Sequence, residues 1–232
     1  HVVFPDFEDL DAVAQGVIGK MFWNQGQVCV AGTRLIVHKS IKDSLVSQIV
    51  KGLEALRPGH PLEPETTFGP LVSAPQMSKV LGYIEQGSAQ GAGLVCGGGR
   101  ILADTGGYFV EPTIFDQVLP DMTIAQEEIF GPVLSVMTFD DVKEAMRLAN
   151  ATKYGLSASV WTTDISRMQE AMRSLRVGEL AINACPQPSA GAAFGSLPLE
   201  GHKQSGFGVE SGAQGLLSYT CLTSVQIHGR RL

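Results

Sequence analysis

The stretch "RLIVHKSIKDSLVSQIVKGLEAL", residues 34–56, decides the fold class because its hydrophobic period changes partway along. Residues 34–38 are a short apolar and β-branched run, which predicts a buried strand. Ser40 is the predicted N-cap of a following helix, with Asp43 three residues later in the capping-box position. The apolar residues of that helix recur on one face: Ile41, Leu45, Val46, Ile49, Val50 and Leu53. The stretch therefore predicts a strand that leads into an amphipathic helix.

The same alternation of strand and helix runs through the chain. Helical spacing predicts a helix from about Leu10 into Met21 and further helices, opened by Ser or Asp, within 73–87, 140–150 and 164–175. Apolar runs predict strands at 133–139, 156–162 and 178–183. Strands that alternate with helices indicate an α/β fold, a three-layer α/β/α arrangement around a mainly parallel sheet. In such sheets we expect a site at the carboxyl ends of the strands.

Composition excludes several classes of protein. The chain has 232 residues, 44% of them hydrophobic and 17% charged, as in a globular protein of one large or two small domains. A net charge of −6 with dispersed Lys and Arg disfavours nucleic acid as a partner. Prolines interrupt the longest uncharged run, 180–199, so no membrane span is predicted. The four cysteines are too scattered for a metal site or a disulfide framework, which favours a reduced, cytoplasmic setting.

The glycine-rich segment "LVCGGGR", residues 94–100, has two interpretations. It lacks the Lys and Ser/Thr of a P-loop and the glycine spacing of a dinucleotide fingerprint. Since "YFVEP" follows at 108–112, we expect a glycine turn that links two extended segments rather than a nucleotide site.

A cysteine in "FWNQGQVCVAGTR", residues 22–34, is the first candidate for chemistry. Free cysteine is often a small buried hydrophobe, so Cys29 alone favours a structural thiol. The preceding amides and Gly26 suit a loop better than a core, and an exposed N–H beside the thiol can stabilise an oxyanion. His38 lies along the predicted strand, and we expect it to be solvent-facing or hydrogen-bonded locally rather than a partner of the thiol. Both interpretations of Cys29 remain open at this point.

Two later segments carry further candidates. "AQEEIFGPV", residues 125–133, is either a solvated turn or a site where a carboxylate binds a ribose diol and Phe130 packs against a flat ring. "PLEGHKQSGFGVE", residues 198–210, is either a surface connection or a functional glycine-rich loop.

Taken in order, these segments resemble the aldehyde dehydrogenase superfamily. "NQGQVCVAGTRLIVH" is similar to its nucleophile motif, and "EEIFGPV" and "GHKQSGFGVE" are similar to two later landmarks. "FGPLVS" at 68–73 and "GYFVEPTIF" at 107–115 are similar to intervening signatures. The resemblance extends from His1 to about Ile227.

The resemblance implies a function and a set of roles. It implies that Cys29 is the nucleophile, that Glu128 binds the nicotinamide ribose and that Phe130 lies against the nicotinamide of NAD or NADP. It implies three residues for the substrate channel: Trp23, Val28 and Val30. The implied reaction oxidises a small-molecule aldehyde to a carboxylate through a cysteine hemithioacetal and a thioester. Alternatives are a coenzyme A-acylating relative and a non-catalytic interaction module.

The resemblance also implies a domain organisation. Residues 1–206 correspond to the catalytic domain, and residues 207–232 to a loop and strand tail that joins an oligomerisation sheet in a homo-oligomer, a dimer or tetramer. Relatives carry a general-base glutamate in a Glu-Leu-Gly-Gly-Lys segment before the position of His1, and most of their cofactor domain lies further upstream. The chain alone is therefore expected to have little or no turnover.

The chain departs from the family pattern at residues 198–203 and at Val209, which replaces a common arginine. These changes remove an aromatic residue that often borders the substrate entrance, so the sequence does not identify the aldehyde. Phe194 is a candidate replacement for that aromatic surface, with a core or hinge role as the alternative.

Overall fold

The computed structural model describes residues 1–185 and 195–229. Its strands are β1 (Val2–Val3), β2 (Arg34–His38), β3 (Gly93–Cys96), β4 (Arg100–Ile101), β5 (Phe109–Val110), β6 (Thr113–Asp116), β7 (Val133–Phe139), β8 (Tyr154–Gly155), β9 (Ser157–Trp161), β10 (Glu179–Ile182), β11 (Leu199–Glu200), β12 (His202–Lys203) and β13 (Val209–Glu210). Its α-helices are α1 (Leu10–Met21), α2 (Lys42–Leu53), α3 (Ala74–Ala89), α4 (Thr123–Gln126), α5 (Val142–Asn150), α6 (Ile165–Ser174) and α7 (Gly212–Leu217).

The main sheet has seven strands in the order β10-β9-β1-β2-β7-β6-β3. All neighbouring pairs are parallel except β3 with β6, which is antiparallel. The centre of the sheet is the β2–β7 pair, in which Arg34 lies opposite Ser135. β11 and β13, β8 and β12, and β4 and β5 form three small antiparallel pairs. The predicted, mainly parallel sheet is confirmed.

Helices cover both faces of this sheet, which gives the predicted three layers. Along β2 the side chains alternate: Leu35 and Val37 pack with α1 and α2, whereas Ile36 packs into the core on the opposite face. Each of these three side chains is at most 2% exposed. Burying an aliphatic side chain to this degree contributes about 1.5–3 kcal/mol, and burial on both faces explains why these strands are continuously apolar.

The helix starts follow local capping chemistry in most places. Ser73, Asp141 and Asp164 accept hydrogen bonds from the first turns of α3, α5 and α6, as the sequence predicts. The predicted cap at Ser40 is wrong. α2 begins one residue later behind Ile41 without a side-chain cap, because the Ser40 hydroxyl lies 2.8 Å from Nδ1 of His38 instead.

The glycine turn predicted at residues 94–100 is confirmed. Gly97 and Gly98, with φ of 71° and 103°, connect β3 to β4. A Cβ at Gly97 would lie 2.2 Å from the carbonyl oxygen of Pro112, so only glycine fits.

The strand predicted near the C-terminus is not formed in this chain. Leu216 and Leu217 belong to α7, and the described residues 218–229 contain no strand. Leu222 is 99% exposed and Ile227 is 87% exposed. A strand needs backbone partners on a neighbouring strand, and this segment pairs with none of the described residues. Its place in an oligomerisation sheet remains a prediction.

Candidate functional site

A cleft opens at the amino ends of the parallel strands. Most of its lining comes from segments that lead into β1, β2, β7, β9 and β10, namely residues 1–2, 26–34, 124–130, 152–158 and 175–177. The expected position, at the carboxyl ends, is wrong for this cleft.

Three of the helices that start at the carboxyl ends of the strands are capped by side chains. Carboxyl-end sites use the free N–H groups of the helices that start there. In this chain Asp9, Asp141 and Asp164 already accept hydrogen bonds at the starts of α1, α5 and α6. α2, which follows β2, has no such side-chain cap, so capping occupies only three of the helix starts at this edge.

The first of these loops carries Cys29. After α1 ends, Asn24, Gln25 and Gly26 have φ of 49°, 57° and 70°, and these left-handed residues reverse the chain. The Asn24 side chain closes the reversal by donating to the carbonyl of Gln27 at 3.0 Å. This confirms the prediction that the chain leaves its helix as a loop here.

Cys29 follows at the mouth of the cleft, within a turn closed by the Ala31 N–H donating to the Val28 carbonyl at 3.0 Å. The thiol is free and the residue is exposed, which excludes the interpretation of Cys29 as a buried structural thiol. Within the described residues, neither the sulfur nor the backbone N–H of Cys29 has a hydrogen-bond partner. An unpaired N–H beside an accessible thiol is the arrangement that can receive an oxyanion.

The second loop precedes β7 and carries Glu128 and Phe130. The Glu128 carboxylate is exposed and has no hydrogen-bond partner among the residues described. Phe130 is half-buried and has a φ of 58°, which is unusual for a bulky residue. The neighbouring Glu127 accepts from the hydroxyl of Tyr83 at 2.7 Å. Burial and this hydrogen bond raise the pKa of Tyr83 to about 12, so Tyr83 stays a donor at neutral pH.

The two loops are in direct backbone contact. A Cβ at Gly26 would lie 2.4 Å from the carbonyl oxygen of Gly131, closer than real Cβ atoms come. Gly26 therefore permits the cysteine loop to lie against the segment that follows Phe130. This contact helps to explain why Cys29, Glu128 and Phe130 line the same cleft.

Helix α3 and the residues just before it hold both loops through hydrogen bonds that sequence reasoning missed. Gln76 donates to the carbonyls of Ile129 at 3.0 Å and Phe130 at 2.8 Å, and Lys79 donates to the carbonyl of Glu128 at 2.9 Å. On the other loop, Gln27 accepts from the N–H of Val72 at 2.9 Å. These partners lie 45 to 54 residues apart in sequence, so no local pattern signals them.

The residues predicted for the substrate channel are divided between two environments. Val28 is half-buried and lines the cleft. Trp23, 40% exposed, and Val30, 2% exposed, lie outside its lining. Phe194 lies outside the described residues. The channel roles of Trp23, Val28 and Val30 remain predictions.

Arg34 is a further cleft residue that sequence reasoning missed. Its guanidinium donates to the carbonyls of Leu148 at 3.0 Å and Ala149 at 2.8 Å. Burial lowers the pKa of Arg34 to about 10, so the side chain remains cationic at neutral pH. It contributes positive charge to a lining that also contains Glu127 and Glu128.

His38 lies away from the cleft. His38 ends β2, at the opposite end from the Cys29 loop, and its ring contacts Phe139 edge-on at 5.5 Å between centroids. This confirms that His38 is engaged locally.

The described part of the chain contains no cluster of three or more His, Cys, Asp or Glu suited to a metal ion. None of the helices among the described residues is long and apolar enough to cross a membrane.

Comparison with known proteins identifies the family. The model of the aldehyde dehydrogenase family matches residues 1–225. The aldehyde dehydrogenase KauB from Pseudomonas aeruginosa is 47% identical, with a TM-score of 0.89 over 96% of this chain and 44% of its own. An NAD-dependent aldehyde dehydrogenase from Sinorhizobium meliloti is 40% identical, with a TM-score of 0.90 over 100% of this chain and 45% of its own.

An aldehyde dehydrogenase from Bacillus cereus in complex with NAD+ is 39% identical, with a TM-score of 0.91 over 99% of this chain and 45% of its own. The chain thus spans less than half the length of each of these proteins. A family match along nearly all of the chain, together with this structural similarity, establishes that the chain belongs to the aldehyde dehydrogenase family.

Proposed function

We propose that residues 1–206 form the catalytic domain of an NAD(P)-dependent aldehyde dehydrogenase in which Cys29 is the nucleophile. The observation that supports this most directly is that Cys29 shares one cleft with Glu128 and Phe130, while its own backbone N–H lacks a partner in the described part of the chain. A thiol, a free N–H and an exposed carboxylate together suit covalent oxidation of a carbonyl compound.

The cleft residues fit a nicotinamide cofactor. The unpaired, exposed carboxylate of Glu128 has room to accept hydrogen bonds from the two hydroxyls of a ribose. Phe130 adds a flat apolar surface to the same lining, suited to contact with an aromatic ring. The NAD+ complex of the Bacillus cereus relative supports NAD, and nothing in the described residues separates NAD from NADP.

In the proposed reaction the Cys29 sulfur attacks the carbonyl carbon of the aldehyde and its proton leaves to a base. The new carbon–sulfur bond turns the carbonyl oxygen into an oxyanion, and the Cys29 N–H donates a hydrogen bond to it. A bound nicotinamide cofactor would supply the hydride acceptor, and loss of hydride from the same carbon would leave a thioester on Cys29. Water then cleaves the carbon–sulfur bond, and this releases the carboxylic acid and restores the thiol.

The base for these steps remains to be supplied. Among the described residues, no side chain hydrogen-bonds to the sulfur of Cys29. We therefore propose that the chain alone has little or no turnover, in keeping with the family's glutamate upstream of the position of His1. A missing general base costs about 10²- to 10⁴-fold in rate.

The test uses the full-length protein that contains this chain. It should oxidise small aldehydes with NAD+ or NADP+, and Cys29→Ser should abolish the activity. Cys221→Ser is the matched control, because Cys221 is also free and exposed but lies in the tail, and it should keep wild-type rates. Full activity in Cys29→Ser would rule out the proposal.

Two outcomes would redirect the assignment. An acyl-coenzyme A product in the presence of coenzyme A would indicate an acylating enzyme. Alkylation of Cys29 by iodoacetamide no faster than that of an ordinary exposed thiol, without turnover, would indicate a non-catalytic module.

We further propose that the full-length protein is a cytoplasmic homo-oligomer, a dimer or tetramer, that associates through the tail. The tail exposes several large apolar side chains, each at least 65% exposed: Leu216, Leu217, Tyr219, Leu222, Val225 and Ile227. An exposed apolar patch of this kind is typical of a protein–protein contact.

A further inference from the structure

Three successive backbone carbonyls of the second cleft loop accept hydrogen bonds from one helix. The Glu128 carbonyl accepts from Lys79 at 2.9 Å, and the Ile129 and Phe130 carbonyls accept from Gln76 at 3.0 and 2.8 Å. Gln76 and Lys79 are three residues apart on α3 and therefore lie on the same side of that helix. We call these two side chains the α3 clasp.

The loop held by the clasp is in an unfavourable conformation. Phe130 has a φ of 58°, a left-handed value that bulky residues rarely adopt. Such a conformation persists only where surrounding contacts determine it, and it is enriched at functional sites. Ile129, 2% exposed, anchors one side of Phe130, and Gly131 packs so closely on Val80 that a Cβ would lie 2.4 Å from it.

These apolar anchors fix where the loop lies, but they do not orient its carbonyls. Orientation comes from hydrogen bonds, which are directional. The partly buried Gln76 makes two of the three bonds, whereas the Lys79 side chain is exposed, so we expect Gln76 to contribute more.

The same end of α3 is also tied to the cysteine loop. The N–H of Val72, just before the helix, donates to the side chain of Gln27 at 2.9 Å. Ser73 then caps the helix by accepting from the N–H of Gln76. The start of α3 is therefore bonded to both loops, to one through the backbone of Val72 and to the other through Gln76 and Lys79, and these bonds help to set the separation of Cys29 from Phe130.

We propose that Gln76, assisted by Lys79, is a positioning residue that holds Glu128 and Phe130 in the geometry needed to bind the nicotinamide end of the cofactor. This inference rests on the proposed function. It assigns Gln76 a role through the backbone of the loop and not through contact with the reacting atoms.

The experiment compares three variants of the full-length protein. Gln76→Met keeps the length of the side chain but removes its N–H donors. Gln76→Lys keeps a donor, as in neighbouring Lys79, and serves as the rescue. Gln90→Met is the matched control: Gln90 follows the other end of α3 and makes two side-chain hydrogen bonds to Thr123, both 2.8 Å.

Two measurements follow the loop and its proposed role. For Gln76→Met we expect faster amide hydrogen exchange in residues 127–133 and an increase of about tenfold in the KM for NAD+. Because the aldehyde reacts at Cys29, its KM and the rate of Cys29 alkylation without cofactor should stay near wild type. Gln76→Lys should recover part of the loss, and Gln90→Met should match wild type in both measurements.

The outcomes separate this inference from the proposed function. If Gln76→Met and Gln90→Met behave alike in exchange and in KM, the inference is wrong. A uniform fall in kcat with equal losses in thermal stability would assign Gln76 a merely structural role and would also overturn it. If the wild-type protein oxidises no aldehyde, the proposed function is wrong. In that case hydrogen exchange still tests the α3 clasp separately, and an unchanged exchange rate in residues 127–133 of Gln76→Met would refute it.

Discussion

Replacing Gly26 with alanine tests the contact between the two loops of the cleft. Gly26 has a φ of 70°, and a Cβ there would lie 2.4 Å from the carbonyl oxygen and 2.7 Å from the carbonyl carbon of Gly131. Both are backbone atoms, so no side chain can rotate away to relieve the contact. The loops must separate by several tenths of an ångström.

The expected magnitude has two parts. A left-handed alanine costs about 1–2 kcal/mol, and the displaced contact adds to this cost. For a chain of this length each kcal/mol lowers the Tm by about 2–4 °C, so Gly26→Ala should lose at least about 2 °C from strain alone and more with the contact. Since a misplacement of about 1 Å costs about 10²-fold in rate, a smaller shift should lower kcat/KM for aldehyde oxidation by about tenfold.

Gly91→Ala is the control that separates strain from contact. Gly91 has a φ of 93°, and nothing lies within 4 Å of its Cβ position. It should therefore lose stability from strain alone and keep wild-type kcat/KM. The assays are thermal unfolding, steady-state kinetics of the full-length protein and the rate of Cys29 alkylation. If the two variants lose stability and activity equally, the contact between the loops does not set the geometry of the site.

Two further predictions concern stability and assembly. Asp6→Ala should lower the free energy of unfolding by about 2–3 kcal/mol at pH 7, measured by urea denaturation. Burial of the Asp6 carboxylate opposes its ionisation, but hydrogen bonds from residues 162–164 outweigh this and lower its pKa; the difference from wild type should therefore be full above about pH 4 and shrink as the pH falls further. An undiminished difference at pH 2 would contradict this account. Leu222→Asp in the tail should shift the full-length protein toward monomers in light scattering, whereas an unchanged mass would argue against association through the tail.

The central elements were predictable because their signals are local. Strands 34–38 and 133–139 are apolar runs with turns or polar residues at their ends, and the structure places β2 and β7 at these positions. Because these strands are buried on both faces, an uninterrupted apolar run is enough to identify them as strands. The prediction of Ser40 as a cap was wrong because the Ser40 hydroxyl pairs with the nearby ring of His38. Sequence patterns for helix caps do not take such a competing partner into account.

The tail shows what a local hydrophobic pattern does not predict. Its alternating apolar residues are typical of a strand, yet alternation describes only which face is apolar and not what pairs with the backbone. Without partner strands the described residues 218–229 form none, and their apolar side chains remain exposed. The sequence of the tail does not indicate which surface would cover these side chains.

The site depends on strand order, which the sequence does not reveal. Cys29 and Phe130 lie 101 residues apart in the numbering, and what joins them is that β2 and β7 are neighbours in the sheet. The loop before each strand must then emerge beside the other, at the amino edge. Only after that placement do Gly26 and Gly131 come into contact and Gln76 reach the Phe130 carbonyl. The order of strands in the sheet therefore sets the position of the site. In both loops, some residues adopt left-handed backbone angles that they rarely adopt on their own, because the packing of the two loops requires it.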